Sequence, residues 1–145
     1  MTTSNLQFNI VPSNPKVPVG VEVWVDSQCI LDLAQCTESC AVEHDVDDTV
    51  EQQHVVKIVL KNKTTEHTRV DDQGTIVSDS VLEIKNFVID EIDIDQVVRE
   101  QAVYCHDFNG TGTETTDSFY NTVGCNGTVT LEFSTPVYLW LLENM

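Results

Sequence analysis

Acidic side chains recur at every second position in two short stretches, residues 43–47 and 91–95. Alternate side chains of an extended strand lie on one face, about 6.6 Å apart, so each stretch predicts a row of three carboxylates. Such a row is unfavourable unless solvent or a cation compensates the like charges. Carboxylate oxygens suit Ca²⁺, although the sequence lacks the complete calcium loop of an EF-hand. We interpret the rows either as solvated acidic faces or as calcium sites, with the candidate ligands Glu91, Asp93, Asp95, Asp45 and Asp47.

An aromatic side chain at a polar position is the second candidate for a binding role. Residues 21–26 alternate valine with other residues, which places Trp24 on the polar face of a predicted strand. Amphipathic rings at polar surfaces are typical of recognition sites, and here such a ring would stack on a sugar. The candidate ligand-binding residues are Trp24, Phe108 and Tyr120. The alternatives are that a loop covers Trp24 or that it packs in a subunit interface.

The cysteines and histidines do not predict a catalytic or zinc site. Residues 105–107 are Cys-His-Asp, but consecutive side chains of an extended chain point to opposite faces and cannot line up for catalysis. Cys29, Cys36 and Cys40 lack the paired C-x2-C spacing of structural zinc sites, even with His44 as a fourth ligand. The odd count of five cysteines predicts that the thiols are reduced and that the protein is made in the cytoplasm. We therefore expect no enzyme.

Composition predicts one globular domain, residues 1–145, with a strongly negative field. The chain is 41% apolar, and its 24 acidic and 7 basic residues give a net charge of −17. This charge repels phosphate backbones and anionic lipids, so we expect neither nucleic acid nor membrane as a partner. It is consistent with solubility, a salty environment, a basic protein partner or bound divalent cations. The N-terminal residues show no signal-peptide pattern, which predicts a protein made in the cytoplasm.

The clearest strand pattern lies in residues 81–95. Apolar residues occupy positions 82 and 84, then 87 and 89, then 92 and 94, so the alternation changes phase twice. Each change needs a bulge or a bend if all the apolar side chains are to face one core. Bent strands of this kind are typical of β-sandwiches. We predict further strands at 6–12, 21–25, 41–47, 55–60, 75–77 and 128–133, with a hairpin turn at 71–74.

The remaining stretches are less regular. Residues 29–40 fit a short helix or a turn, and residues 96–105 fit one helical turn or an extended link. Residues 106–127 predict a long loop that is functional or packs against a neighbour. Residues 137–142 are apolar on both faces of a predicted terminal strand, which must then be covered on both sides. This stretch predicts a homo-oligomer.

Three phrases, at residues 106–111, 124–128 and 138–144, resemble small β-sandwich proteins of tailed marine bacteriophages. The resemblance covers about residues 55–145. It implies a jelly roll related in architecture to calcium-dependent carbohydrate-binding modules, and association with a virus particle. In such a protein the acidic rows would bind calcium and Trp24 a glycan, but no ligand pattern assigns these roles residue by residue.

The sequence as a whole predicts an all-β protein, an antiparallel and jelly-roll-like β-sandwich of roughly eight to ten strands with at most one short helix. Its predicted function is a non-catalytic recognition module that binds carbohydrate with calcium support and is associated with the virion. The alternative is a purely structural phage assembly protein that buries its aromatic C-terminal strand in an oligomer.

Overall fold

The computed structural model describes residues 3–106, 113–119 and 121–145. Helix α1 spans Asp95–Gln101, α2 spans Val137–Asn144, and a 3-10 turn lies at Thr65–His67. Within the described residues there are 13 strands: β1 (Thr3–Pro12), β2 (Gly20–Val25), β3 (Gln28–Leu33), β4 (Cys40–Asp47), β5 (Gln52–Lys61), β6 (Thr68–Val70), β7 (Ile76–Asp79), β8 (Leu82–Ile89), β9 (Ile92–Asp93), β10 (Val103–His106), β11 (Thr115–Ser118), β12 (Thr122–Val123) and β13 (Gly127–Thr135).

The strands form an antiparallel β-sandwich, which confirms the predicted fold class. One sheet has the order β12-β8-β1-β4, with β9 paired to β8, and the other has the order β11-β10-β13-β5-β2-β3. Strands β6 and β7 form a separate hairpin around the turn predicted at residues 71–74. The described residues contain more strands than expected, because several strands have only two to four residues. They also contain two helices rather than at most one, because the stretch predicted as a terminal strand forms α2.

The inward faces of the two sheets share one apolar core. In β1, Leu6, Phe8 and Ile10 are buried, and in β2 the alternating valines of residues 21–25 are buried. The rings of Phe8 and Phe87 stack with centroids 4.6 Å apart. The period-two alternation read from the sequence therefore sorts these strands correctly into an inner and an outer face.

Strand β8 contains the first predicted phase change as a β-bulge. Gln7 pairs with Val88 and Asn9 pairs with Lys85, so one residue of β1 lies opposite two residues of β8. Asn86 in the bulge has φ 60°, a left-handed conformation that asparagine adopts more readily than most residues. The bulge allows residues 82 and 84 and residues 87 and 89 to face the same core.

The second phase change is a hairpin turn. Asp90 and Glu91 have φ 49° and 69°, and the flanking residues Ile89 and Ile92 pair with each other. Two central residues with positive φ are typical of a type I′ turn, which suits the twist of a two-stranded hairpin. The chain therefore reverses direction between residues 89 and 92.

Three local predictions are wrong. Residues 137–142 form helix α2 rather than a terminal strand, and Trp140 packs within its own chain, 6% exposed, with its ring 6.0 Å from that of Phe133. Residues 28–33 form strand β3, where a short helix or a turn was expected over residues 29–40. Strands β11 and β12 lie within residues 106–127, where a long loop was expected. Self-association through a C-terminal strand thus loses its structural basis, while homo-oligomerisation itself stays a prediction.

Candidate functional site

Trp24 lies in β2 on the outer face of the six-stranded sheet. Its neighbours Val23 and Val25 are buried, while the indole is half-buried. The indole Nε1 donates a 2.9 Å hydrogen bond to Oε1 of Glu22, which lies two residues earlier on the same face. The predicted placement of Trp24 on a polar face is confirmed. The hydrogen bond to Glu22 restrains the orientation of the indole ring.

Lys61 positions Glu22 from the neighbouring strand β5. Its Nζ lies 3.1 Å from Oε2 of Glu22 and also donates to Oδ1 of Asp32 in β3. Hydrogen bonds to Asp32 and then to Glu22 raise the pKa of Lys61. Lys61 therefore bridges two carboxylates, and this network of charged side chains extends over three strands next to the indole.

A row of side chains crosses the outer face of the sheet from Trp24. Trp24 is in register with Lys57 of β5, Lys57 with Thr130 of β13, and Thr130 with Val103 of β10. Strands of a sheet lie about 4.8 Å apart, so Thr130 is about 9.6 Å from the position of Trp24. We call the surface formed by Trp24, Glu22, Lys57, Thr128 and Thr130 the Trp24 face.

A groove of about 450 Å³ opens on this face beside Lys57. No acidic side chain of the described residues forms an ion pair with Lys57, so its ammonium group is available to a ligand. The groove contains several groups able to exchange hydrogen bonds with a polar ligand: Lys57, Glu114, Thr128 and Thr130.

Cys105 and His106 also border the groove, but they contact different partners. The Cys105 thiol donates to Oε1 of Glu114 at 3.1 Å, whereas Nε2 of His106 lies 2.9 Å from Oδ2 of Asp117. The His106 ring packs 4.6 Å from the ring of Tyr104. Asp107, the third residue of the Cys-His-Asp sequence, lies outside the described residues.

The predicted carboxylate row in β4 is confirmed. Glu43, Asp45 and Asp47 are all exposed on one side of this edge strand. The amide Nδ2 of Asn5 in β1 donates to Oε1 of Glu43 at 2.9 Å and to Oδ1 of Asp45 at 2.8 Å. Hydrogen bonds from the hydroxyl and backbone N–H of Thr49 lower the pKa of Asp47. Amide and hydroxyl donors thus reduce the repulsion within the row.

The predicted row at residues 91–95 is wrong as a strand face. Glu91 lies in the hairpin turn, Asp93 in β9, and Asp95 at the start of α1. Oδ1 of Asp95 accepts the backbone N–H of Phe87 at 3.0 Å, and Oδ1 of Asp93 accepts that of Asp95 at 2.9 Å. These hydrogen bonds of Asp93 and Asp95 stabilise the turn into the helix, and Glu91 lies apart from them in the hairpin turn.

In the described residues, no group of three or more histidine, cysteine, aspartate or glutamate side chains is arranged to hold a metal ion. This applies to the candidate ligands in both acidic rows. Phe108 and Tyr120, the other two candidate ligand-binding residues, lie outside the described residues. Calcium binding and the part of Phe108 and Tyr120 in recognition are predictions from the sequence that no finding here tests.

Cys36 and Cys40 share a hydrogen-bond acceptor in the loop between β3 and β4. Both thiols donate to the backbone carbonyl of Glu38, at 3.4 and 3.5 Å. Cys36 is fully buried, and burial, together with the neighbouring Cys40, raises its pKa to about 11. Cys29 is exposed, so we expect it to be more accessible to reagents than Cys36.

Glu22 and Lys57 belong to the candidate site but were not predicted from the sequence. Glu22 was detectable, because side chains two residues apart in a strand share a face. Lys57 was not, since its place beside Trp24 depends on the register between β2 and β5. Thr128 and Thr130 enter the site through the register between β5 and β13 in the same way.

Comparison with known proteins gives little. No family model matches the chain, and no curated protein matches it. A solved structure that matches is the selenomethionine form of vCBM60, a calcium-dependent carbohydrate binding module. The alignment covers 88% of this chain and 89% of that one, with 9% identity and a TM-score of 0.49. The resemblance to phage proteins is untested by these comparisons.

As for membranes, neither described helix is both long and apolar enough for a transmembrane span.

Proposed function

We propose that this chain is a non-catalytic carbohydrate-binding module whose ligand lies across the Trp24 face. The observation that carries the proposal is the setting of Trp24. Its half-buried indole lies on a polar sheet face, has its N–H bonded to Glu22, and is one strand away from a groove of polar side chains. A ring held in this way loses little conformational freedom when a ligand binds.

The Trp24 face offers the two kinds of contact that a sugar ring requires. The apolar C–H face of a pyranose packs against an aromatic ring, and its hydroxyls exchange hydrogen bonds with a few well-placed polar groups. Lys57 and Thr130 lie in the same cross-strand row as Trp24. A sugar stacked on the indole therefore has the ammonium group of Lys57 on the next strand, and a longer ligand would extend to the hydroxyl of Thr130, about 9.6 Å away.

Charge favours neutral glycans over anionic ones. The chain has a net charge of −17, and the carboxylates of Glu22, Asp32 and Glu114 border the face. Such a field repels sulfated or uronic acid polymers at long range. We therefore propose a neutral polysaccharide as the ligand class.

Calcium is not part of this proposal. The described residues contain no cluster of three or more potential ligands, and carboxylates predicted to bind calcium, including those of Asp45, Asp93 and Asp95, accept hydrogen bonds from nearby backbone and amide groups. A hard cation requires six to eight oxygen ligands that converge. Stacking and hydrogen bonding on the Trp24 face require no ion.

The test is binding to soluble neutral polysaccharides such as xylan, mixed-linkage glucan and galactomannan, measured by affinity electrophoresis and tryptophan fluorescence. Trp24 and Trp140 are the two tryptophans, so Trp140→Phe leaves Trp24 as the single reporter. Its emission should change on binding. Trp24→Ala should abolish retardation in the gel while leaving Tm nearly unchanged.

Two results would overturn the proposal. One is retardation of Trp24→Ala equal to that of the wild type, which would place binding elsewhere. The other is a folded wild-type protein whose migration in the gel and whose tryptophan fluorescence are unchanged by every one of the neutral polysaccharides.

A further inference from the structure

The outer side of helix α2 exposes apolar side chains that the carbohydrate proposal does not use. Tyr138, Leu142 and Met145 are 62%, 76% and 71% exposed, at the spacing that places residues on one helix face. Ile92, next to the β8–β9 turn, is 44% exposed. Together with Leu141 these residues line a groove of about 460 Å³. Surface apolar residues that cluster in this way are typical of interaction sites.

An acidic groove of about 620 Å³ adjoins the apolar one. Met145 lines both grooves. Ile92 lines the apolar groove, and the next residue, Asp93, lines the acidic groove. The acidic groove contains Asp93, Asp95 and Glu100, against a single basic residue, Arg99. An apolar surface is therefore continuous with a surface of net negative charge.

We propose that these two grooves bind a basic amphipathic segment of another protein. Its apolar side chains would lie against Tyr138 and Leu142, and its lysine or arginine side chains would face Asp93 and Glu100. Helical segments with apolar residues at i, i+3 and i+4 bind grooves of this kind. Opposite charges on the two partners increase the association rate and reject acidic partners.

Charge distinguishes this partner from a second copy of the chain. Each copy has a net charge of −17 and only 7 basic residues, so symmetric contact through these grooves would place acidic surfaces near each other. Like-charge contact across an interface is unfavourable. A basic partner gains from the same carboxylates.

The probe is a synthetic helical peptide with leucine on one face and lysine on the other, titrated by fluorescence anisotropy. Leu142→Asp should reduce its affinity at least tenfold, although the substitution makes the protein more negative. General attraction of a cationic peptide to an acidic protein predicts the opposite, a slight gain in affinity. Leu142 is 76% exposed, so the variant should fold, and Tyr138→Ser on the same face provides a second test.

A matched pair of charge variants tests the acidic groove. Asp93→Asn/Glu100→Gln removes two charges from the groove, while Glu43→Gln/Asp45→Asn removes two charges from the row in β4. The first should weaken peptide binding severalfold more than the second. Equal effects of the two pairs, or unchanged binding by Leu142→Asp, would overturn the proposal. Sedimentation that shows wild-type dimers, dissociated by Leu142→Asp, would also overturn it, because a second copy would then occupy the grooves.

Discussion

The indole Nε1 of Trp24 donates a 2.9 Å hydrogen bond to Oε1 of Glu22, its neighbour two residues away on the same strand face. Oε2 of the same carboxylate lies 3.1 Å from Nζ of Lys61. The ring is thus oriented by a side chain that is itself held by an ion pair from the adjacent strand. This arrangement distinguishes Trp24 from an aromatic side chain that is merely exposed.

Glu22→Ala should weaken polysaccharide binding, because it frees the indole of Trp24 from its hydrogen bond. Ordering a side chain at an interface costs about 0.5–1.5 kcal/mol, so a freed Trp24 should raise Kd roughly two- to twelvefold. Asp32→Asn is the control, because Asp32 also bonds Lys61 but does not bond Trp24. Equal losses in both variants, measured by fluorescence titration, would show that the charge network rather than the indole bond is responsible.

The two tryptophans should respond differently to truncation. Trp140 is 6% exposed and packs edge-on against Phe133, so Trp140→Ala should lower the free energy of unfolding by about 3–5 kcal/mol. Trp24→Ala should cost clearly less, because its ring is half-buried on the sheet surface. Urea unfolding of both variants measures the difference. A larger loss for Trp24→Ala would identify Trp24 as a core residue and remove it from the binding site.

Asp26 should contribute stability that disappears in acid. Partial burial opposes ionisation of its carboxyl, but hydrogen bonds from the His54 ring and the Val55 backbone N–H outweigh this effect and lower the pKa below 3.8. A group whose pKa is lower in the folded state stabilises it above the unfolded-state pKa and loses this contribution as the pH falls. Asp26→Asn should therefore be less stable than the wild type at pH 7.

The two proteins should converge in stability as the pH falls below 3.8. Urea unfolding at several pH values isolates the effect, because the other carboxylates are common to both proteins. A stability difference that stays constant from pH 7 to pH 3 would contradict the assigned role of Asp26.

Much of the fold could be predicted because apolar alternation is a local signal. The bulge in β8 follows from the change of parity between Ile84 and Phe87, and the placement of Trp24 follows from the valines around it. Helix α2 also had a local signal that strand-like hydrophobicity concealed. Its buried residues Val137, Trp140 and Leu141 have the i, i+3, i+4 spacing of a helix face.

The parts that could not be predicted depend on register or on turn conformation. Lys57 reaches Trp24 through strand pairing between residues far apart in the sequence. The acidic stretch at residues 91–95 alternates like a strand, but Asp90 and Glu91 adopt positive φ and reverse the chain. Asp90 is held there by Asn5 and Ser4 of β1, contacts that no local pattern reveals.

Cys36 should react slowly with iodoacetamide in the folded protein. The thiolate is the reactive form, and a pKa of about 11 leaves little of it at pH 8, while full burial also blocks access. Exposed Cys29 should react first. Peptide mass mapping after timed alkylation measures both, with the urea-unfolded protein as the control in which the difference should disappear. Equal rates in the folded state would contradict the buried position of Cys36.

Calcium and magnesium should raise Tm equally at millimolar concentration. Both screen the repulsion within a chain of net charge −17, and the described residues hold no cluster of ligands that would select the larger ion. A specific calcium site would instead stabilise the fold by about 2.7 kcal/mol at a hundredfold excess over Kd. Magnesium would not match this shift, because it demands tighter octahedral geometry. Thermal unfolding with each ion at matched ionic strength distinguishes charge screening from a specific calcium site. A shift with calcium alone, lost in Asp93→Asn/Asp95→Asn, would contradict this prediction and establish a site at these two residues.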